Sequence, residues 1–250
     1  MFGCITTLIH IPTTHQPPTT TKPTKPISAI TPPTTTEIRV CTNRTCRRQG
    51  STEVLQVLQG ITPPTISVTS CGCLGRCGSG PNLVVLPSET FVSHCGTAAR
   101  AADVMGIVCG VDSVSCKKSL DALMVRKQAE VQMEKGEFVM AEMLLSQAID
   151  LNPIGGLHYI YKNRSIARLA MNKTTAALED AVEASTIAPK YPEAYICKGD
   201  ALMAMEQYEA AADSYSTALE LDPSIRRSKS FKARIAKLQE KLAILQIADS

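Results

Sequence analysis

The sequence predicts a mixed α+β domain over residues 37–115, followed by an all-α array of helical repeats over residues 118–223. Six of the ten cysteines lie between residues 41 and 95, among short runs of β-branched residues that are typical of strands. Beyond residue 118, alanine and proline recur at steps of 36 and 34 residues, which indicates two-helix repeats. With 44% hydrophobic and 20% charged residues, the chain can form packed cores in both regions.

The first 36 residues differ in composition from the rest of the chain. Twelve are threonine, seven are proline, and the only charged residues are Lys22 and Lys25. Such a segment cannot bury enough apolar surface to fold. It resembles a chloroplast transit peptide, because it is hydroxyl-rich, mildly basic and free of arginine and acidic residues. We therefore expect the protein in the chloroplast, in the stroma or peripheral to the thylakoid. A disordered linker or mucin-like tail is the alternative interpretation.

The elements of the α+β domain follow from apolar runs that end at turn residues. Four runs predict strands: Glu37–Val40, Thr65–Thr69, Leu83–Leu86 and Thr90–Ser93. The last two are expected to pair in antiparallel fashion. A helix is predicted from Ser51, whose hydroxyl can cap it, to Gly60, and another from about Thr97 to Val108. The order β-α-β-β-β-α is that of a compact thioredoxin-like fold.

Two cysteine pairs follow the first two strands of this domain. Cys41-x4-Cys46 leaves the first strand, and Cys73-x3-Cys77 leaves the second. Neighbouring strands deliver both pairs to the same edge of a sheet, and four thiolates from two loops suit a 2Fe–2S cluster, with two sulfurs for each iron. Glycines among the cysteines permit close backbone approach, and arginines there would offset the negative charge of a cluster: Gly72, Gly75, Gly78, Gly80, Arg44, Arg47, Arg48 and Arg76.

At these residues the sequence resembles a known family. The runs V-C-T-N-R-T-C-R-R-Q-G-S and C-L-G-R-C-G-S-G-P-N-L-V-V-L-P are similar to those of the thioredoxin-like 2Fe–2S ferredoxins, which include a subunit of respiratory complex I. The resemblance implies Cys41, Cys46, Cys73 and Cys77 as cluster ligands, with Cys71 as an extra thiol that competes for iron. Three alternatives stay open: a structural zinc site, a redox dithiol at Cys71-Gly-Cys73, and a structural domain without a cluster.

The repeats of the second region resemble the tetratricopeptide repeat (TPR). The recurring residues are Ala141, Ala148 and Pro153, then Ala177, Ala184 and Pro189, then Ala211, Ala218 and Pro223. They define units of 118–153, 158–189 and 192–223, and residues 224–250 are expected to form a capping helix. A short linker over residues 109–117 joins the array to the α+β domain. Three stacked repeats imply a concave groove for a protein partner.

The groove residues of some three-repeat members bind the acidic C-termini of heat-shock chaperones. Five basic or amide groups do so, and here Arg126 and Asn163 match that pattern. Glu130, Glu193 and Cys197 occupy the other three places. Because two glutamates repel a carboxylate tail, we expect no chaperone-tail binding.

These features predict a cluster-binding electron-transfer module that the repeats dock onto a partner complex. A ferredoxin, a reductase or a photosynthetic complex is the expected partner. The alternative is a TPR assembly or scaffold factor for a plastid complex, with a structural, sensory or transferable cluster. No general base, nucleophile or nucleotide loop accompanies the cysteines, which argues against independent catalysis. The lack of tryptophan disfavours nucleic-acid binding, and no apolar run has the roughly 20 residues of a membrane span.

Overall fold

The computed structural model describes residues 36–248, and side chains up to residue 245. The predicted transit segment therefore lies outside the described residues, except for Thr36. A four-stranded mixed sheet has the order β2-β1-β3-β4. Its strands are β1 (Glu37–Cys41), β2 (Ser67–Cys71), β3 (Leu83–Leu86) and β4 (Thr90–Val92). Strand β1 is parallel to β2 and antiparallel to β3, and β3 is antiparallel to β4, as predicted for that pair.

Three helices accompany the sheet: α1 (Arg44–Arg48), α2 (Ser51–Ile61) and α3 (Ala98–Cys109). Fully buried apolar side chains from the strands and from α2 and α3 form one core, including Ile38, Leu58, Leu83 and Met105. The region is thus a small α+β unit. Thr97 caps α3 by accepting a hydrogen bond from the Arg100 N–H, so this helix begins where the sequence predicts.

Some local predictions for this region were wrong. Helix α2 begins after Gly50, which has a left-handed φ of 93°, and Ser51 is its first residue rather than its cap. The Ser51 hydroxyl is buried and has no hydrogen-bond partner among the described residues. Strand β2 begins two residues later than predicted, because Glu37 at the start of β1 pairs with Ser67. Helix α1, which the sequence did not reveal, starts at Asn43, whose side chain accepts a hydrogen bond from the Arg44 N–H.

Three helical hairpins follow the sheet. They are α4 (Ser113–Glu134) with α5 (Phe138–Asp150), α6 (Leu157–Ala170) with α7 (Thr174–Ile187), and α8 (Pro192–Ala204) with α9 (Tyr208–Leu221). The repeated alanines are fully buried where helices meet, as at Ala141, Ala177 and Ala211. A β-carbon on Gly199 would overlap the Tyr215 ring, so α8 and α9 approach closely at this glycine. Among the described helices, none has the length and apolarity to cross a membrane.

Most of the predicted linker over residues 109–117 is helical. Only Gly110–Asp112 separate α3 from α4, because the Asp112 side chain caps α4 by accepting from the Ser115 N–H at 2.7 Å. The first turns of α4 then pack on the sheet unit, where Cys116 and Leu123 join its core. The sheet and the helical array are therefore in direct packing contact.

The last helix, α10 (Lys229–Ala248), covers the end of the array. Phe231 packs edge-on against Tyr215, with ring centroids 5.7 Å apart. Arg234 forms a bidentate ion pair with Asp200 of α8, and Tyr215 donates its hydroxyl to the same carboxylate at 2.7 Å. These contacts fix α10 to both helices of the third hairpin.

Candidate functional site

The two predicted cysteine pairs meet near the ends of β1 and β2. Cys41 ends β1 and is the direct cross-strand neighbour of Cys71, which ends β2. Helix α1 turns Cys46 inward, so Cys41 and Cys46 are both 1% exposed. Cys73 and Cys77 lie in the loop after β2 and are exposed. The first pair is thus buried in the core, and the second pair is exposed to solvent.

The buried pair is held by short-range contacts. Cys41 lies close enough to Cys46 to raise the pKa of the Cys46 thiol, after the larger effect of burial. Burial raises the pKa of Cys46, and the side-chain amide of Asn82 opposes this shift by donating to Cys46 Sγ at 3.7 Å. Asn82 also donates to the Arg76 carbonyl at 2.7 Å, and so it ties the loop of the second pair to the first.

The exposed pair is a close dithiol. Cys73 Sγ lies 3.4 Å from Cys77 Sγ, and the Gly75 N–H donates to Cys73 Sγ at 3.4 Å. This backbone hydrogen bond is the largest cause of a lowered pKa at Cys73. The pKa of Cys77 is raised, first by its hydrogen bond to Cys73, and in smaller part by the charges of Cys46 and Cys41. The second pair therefore lies within electrostatic range of the first.

The arrangement is two pairs rather than a single group of ligands. Among the described residues, no three His, Cys, Asp or Glu side chains come together as one metal ion would require. A mononuclear zinc site needs four ligands around one centre, whereas a 2Fe–2S cluster takes two thiolates on each of two irons.

The other cysteines of the described region have different surroundings. Cys95 is fully buried in the sheet core, and burial raises its pKa to about 11, so it is an inert packing residue. Cys116 and Cys197 are likewise buried. Cys71 is half-buried, and burial raises the pKa of its thiol.

Arginines border the cysteine site. Arg44, Arg47 and Arg48 are exposed on α1, and none of the three forms an ion pair with a described residue. Arg76, between Cys73 and Cys77, stacks on the Phe91 ring at 4.4 Å from its centroid. The site thus carries an excess of positive charge.

The groove residues lie on the first helices of the hairpins, α4, α6 and α8, which contact one another across the array. Asn163 donates its side-chain amide to the Glu130 carboxylate at 2.8 Å, and Arg126 lies 3.7 Å from the same carboxylate. Both groups that match the chaperone-binding pattern are therefore already partnered by Glu130.

Arg164 does not serve the groove. It forms a bidentate ion pair with Asp180 and donates to Ser146, so it links α5, α6 and α7. Its packing against Tyr161, at 5.4 Å from the ring centroid, completes a structural role. These contacts favour a packing role for Arg164 and Tyr161.

Sequence reasoning missed His158, at the second position of α6. The side chain is 5% exposed and lies in an aromatic cluster with Tyr159 and Tyr191. Burial, and secondly the positive charge of Arg126, lower the pKa of His158 to about 4. No spacing pattern marks this residue, because its neighbours come from distant parts of the chain.

The lowered pKa of His158 predicts a loss of stability in acid. The unfolded chain binds a proton at this residue below about pH 6.5, and the folded chain does so only near pH 4. The neutral ring thus contributes stability above pH 6.5 that is lost as the pH falls towards 4, by about 3 kcal/mol. In urea unfolding, His158→Phe should remove this part of the pH dependence. His94→Asn, at an exposed histidine, should keep it, and an unchanged slope in His158→Phe would contradict the assignment.

Comparison with known proteins supports the repeat assignment. The sequence model of the tetratricopeptide repeat family matches residues 192–225. The protein STIP1 homolog of Dictyostelium discoideum is 33% identical over 99 residues, which cover 40% of this chain and 17% of that protein. The small glutamine-rich tetratricopeptide repeat-containing protein 2 of Mycosarcoma maydis is 30% identical over 100 residues, 40% of this chain and 28% of the relative. This chain thus matches less than a third of the length of these relatives.

Solved structures give the same kind of match. The first TPR domain of human RPAP3 is 24% identical with a TM-score of 0.45, and the match covers 49% of this chain and 93% of that one. The corresponding RPAP3 (Spaghetti) domain bound to the HSP90 peptide SRMEEVD is 23% identical with a TM-score of 0.45, and the match covers 50% of this chain and 94% of that one. The family match and the buried, recurring alanines confirm the predicted repeats. The helical half of this chain is an array of tetratricopeptide repeats.

Proposed function

We propose that this protein is a TPR scaffold that holds a partner protein beside a 2Fe–2S cluster. The observation that carries the scaffold proposal is the contact of α4 with α6 and of α6 with α8, which places the groove residues on neighbouring first helices of the three repeats. TPR arrays use such faces to bind extended segments of other proteins. The curated relatives and the family match support a protein-interaction role for the same region.

The cluster is proposed on Cys41, Cys46, Cys73 and Cys77, within a thioredoxin-like α+β unit. Its support is the two-plus-two placement of the thiols, the tie that Asn82 makes between the pairs, and the arginines beside them. When bound, such a group supplies a one-electron redox centre. The buried pair would anchor it to the core, and the exposed pair would leave one edge open to solvent.

The sheet and the groove are structurally connected. Val68 of strand β2 lines a cavity that the α7–α8 loop also lines, and the strand ends at Cys71 beside the cysteine site. We therefore expect a partner that reaches the start of α6 to lie near this strand, since His158 and Tyr159 line the same cavity. We place this activity in the plastid, because of the composition of residues 1–36.

A second candidate is electron transfer to the docked partner, with a ferredoxin, a reductase or a photosynthetic complex in that role. The exposure of Cys73 and Cys77 favours it, since electron exchange needs a cluster edge near the surface. Reversible reduction by a ferredoxin would support the electron carrier. Loss of the cluster to an apo-protein acceptor would instead favour the assembly factor.

Site-specific cross-linking tests the scaffold proposal. Ile166 lies one turn beyond Asn163 on the groove face of α6 and is 37% exposed, whereas Val139 on α5 is 65% exposed. A photoreactive amino acid at position 166 should capture a discrete partner in stromal extract, and one at position 139 should not. Equal capture at both positions, or none at 166, would refute a groove-bound partner.

The groove is expected to reject acidic chaperone tails. The peptide SRMEEVD should show no saturable binding at millimolar concentration, because Glu130 already partners Arg126 and Asn163, and Glu193 adds negative charge. The triple variant Glu130→Asn, Glu193→Lys, Cys197→Arg should raise the affinity for this peptide at least about tenfold, since it removes two repulsions and adds two cations. Isothermal titration calorimetry measures the affinity of the natural chain and of the triple variant for this peptide. Micromolar binding by the natural chain would contradict this account of the groove.

A further inference from the structure

One edge of the sheet ends in an unprotected strand. In the order β2-β1-β3-β4, strand β2 pairs only with β1, so its outer edge has no partner strand among the described residues. Sheet edges are usually protected by charged residues, by proline or by a very short strand. The other edge strand, β4, has three residues, whereas β2 has five, and its sequence SVTSC contains neither a charged residue nor a proline. The outer edge of β2 is therefore open to pairing.

Hydrogen bonds at the two ends of β2 show which of its residues face β1. The Ser67 N–H donates to the Thr36 carbonyl at 3.1 Å, and the Cys71 carbonyl accepts from the Thr42 N–H at 3.0 Å. In a parallel pair, alternate residues direct their backbone groups to the same neighbouring strand. The odd-numbered residues of β2 thus face β1, and the even-numbered residues face away from it.

The two even-numbered residues are Val68 and Ser70. The Val68 carbonyl accepts a hydrogen bond of 3.3 Å from the exposed side chain of Gln59, which agrees with an outward direction. No described residue hydrogen-bonds to the Val68 N–H or to either backbone group of Ser70. An added strand would pair with these groups, as in other sheets that bind extended peptides at an edge.

A cavity of about 720 Å³ lies beside the Val68 end of this edge. Ile66 and Val68 line it on the sheet side, and Tyr159 and Tyr191 line it on the repeat side. The two tyrosine rings meet edge-on, with their centroids 5.3 Å apart. Because aromatic rings favour further ring contacts, the cavity suits an aromatic or large apolar side chain from a segment on β2.

The other end of the edge is positively charged. Arg44, Arg47 and Arg48 line a hollow together with Cys71 and Gly72, where β2 ends. All three arginines are exposed, and none forms an ion pair with a described residue. Unpaired charge of one sign favours a partner of the opposite sign. A segment along β2 would meet these guanidinium groups about 10 Å from Val68, since a strand rises about 3.3 Å for each residue.

We propose that β2 binds an extended acidic segment of a partner protein as a fifth strand of the sheet. The segment places an apolar side chain in the cavity beside Val68 and carboxylates on the arginines of α1, three to five residues away. A second copy of this chain does not fit, because its own β2 offers no acidic residue. This surface is separate from the groove face of the repeats, and it requires neither a partner in the groove nor a cluster on the cysteines.

N-methylated peptides test the strand pairing without any change to the protein. The probes are fluorescein-labelled Glu-Glu-Asp-Thr-Val-Phe-Val-Thr and the peptide of reversed sequence, since a strand can pair in either direction. Fluorescence anisotropy with the full chain should show saturable binding of at least one. Methylation of one alternate set of its amides should weaken binding at least about tenfold, and methylation of the other set less than about twofold. No saturable binding, or equal effects of the two sets, would overturn the proposal.

A matched pair of variants tests the edge itself. Ser70→Pro removes an outward N–H but no hydrogen bond to β1, and edge strands tolerate proline at such positions. This variant should bind the peptide at least about tenfold more weakly, whereas Ser70→Thr keeps the N–H and should bind within about twofold of the natural chain. Unchanged binding by a folded Ser70→Pro would overturn the proposal. The methylated peptides decide the question if this variant loses stability.

The charge contribution is tested by replacing Arg44, Arg47 and Arg48 with glutamine. The triple variant should bind the acidic peptide about tenfold more weakly, and it should bind a peptide with glutamine and asparagine in place of the acidic residues as the natural chain does. Equal loss for both peptides would contradict the role of the arginines. A dimer of the natural chain that Ser70→Pro dissociates would assign the edge to a second copy. Tighter binding of an oligothymidylate than of either peptide would assign the arginines to nucleic acid, and each of these results would overturn the proposal.

Discussion

Replacing Asp180 with alanine is expected to lower the free energy of unfolding by about 3–5 kcal/mol. The carboxylate is 2% exposed and accepts two hydrogen bonds from Arg164, at 2.9 and 2.8 Å. Arg168 lies 3.0 Å from the same carboxylate. The alanine variant would leave two largely buried guanidinium groups without this partner, which costs far more than an exposed ion pair contributes. Urea or thermal unfolding of the full chain measures the loss.

The neighbouring residue gives the control for this prediction. Glu179 is exposed on the same helix, and Glu179→Ala should change the free energy of unfolding by less than about 0.5 kcal/mol. A loss below about 1 kcal/mol in Asp180→Ala would mean that the network linking α5, α6 and α7 does not stabilise the array. The position of Asn163 in the groove depends on this network, because Asn163 lies on α6 and Arg164 holds α6 against its neighbouring helices.

Gly156→Ala is expected to destabilise the chain by about 3 kcal/mol or more, through two effects. Gly156 has a φ of 81°, which L-residues rarely adopt, and an added β-carbon would overlap the Gly60 carbonyl. The overlap can be relieved only if the repeats move away from the sheet unit. Chemical unfolding measures the stability, and amide exchange across residues 58–63 would report the loosened contact.

Gly136→Ala separates these two effects. Gly136 has nearly the same φ, 80°, but an added β-carbon there would meet no atom within 4 Å. Its substitution should therefore cost only the backbone strain, about 1 kcal/mol. Equal losses in both variants would show that the close contact between the α5–α6 loop and α2 contributes nothing, and that the two parts of the chain pack less tightly than described.

Local signals in the sequence were sufficient for much of the fold. Strand β3 follows from the apolar run Leu83–Leu86, and the hairpins follow from alanines and prolines at a fixed period. Periodic patterns predict such elements because each residue's role is set by its neighbours along the chain. The direct pairing of β1 with β2, which brings the cysteine pairs together, was also expected from their order.

The missed features depend on residues that are far apart in sequence. The hydroxyl of Ser51 could cap a helix, as the sequence predicts. Gly50 adopts a left-handed conformation and occupies the cap position instead, so Ser51 is the first residue of the helix. The close contact of Gly155 with Thr62 joins segments about ninety residues apart, and no local pattern marks either one. The same is true of His158, whose aromatic neighbour Tyr191 lies in the loop before the next repeat. Tertiary packing decided these positions, and local preference did not.

Iron and sulfide analysis of the full chain, purified without oxygen, tests the central claim that a 2Fe–2S cluster lies beside the TPR groove. The account predicts two irons and two sulfides in each chain, with most of both lost in Cys77→Ser and none lost in Cys95→Ser, since Cys95 is buried in the core of the sheet unit. One zinc in each chain, or iron that is unaffected by Cys77→Ser, would contradict it.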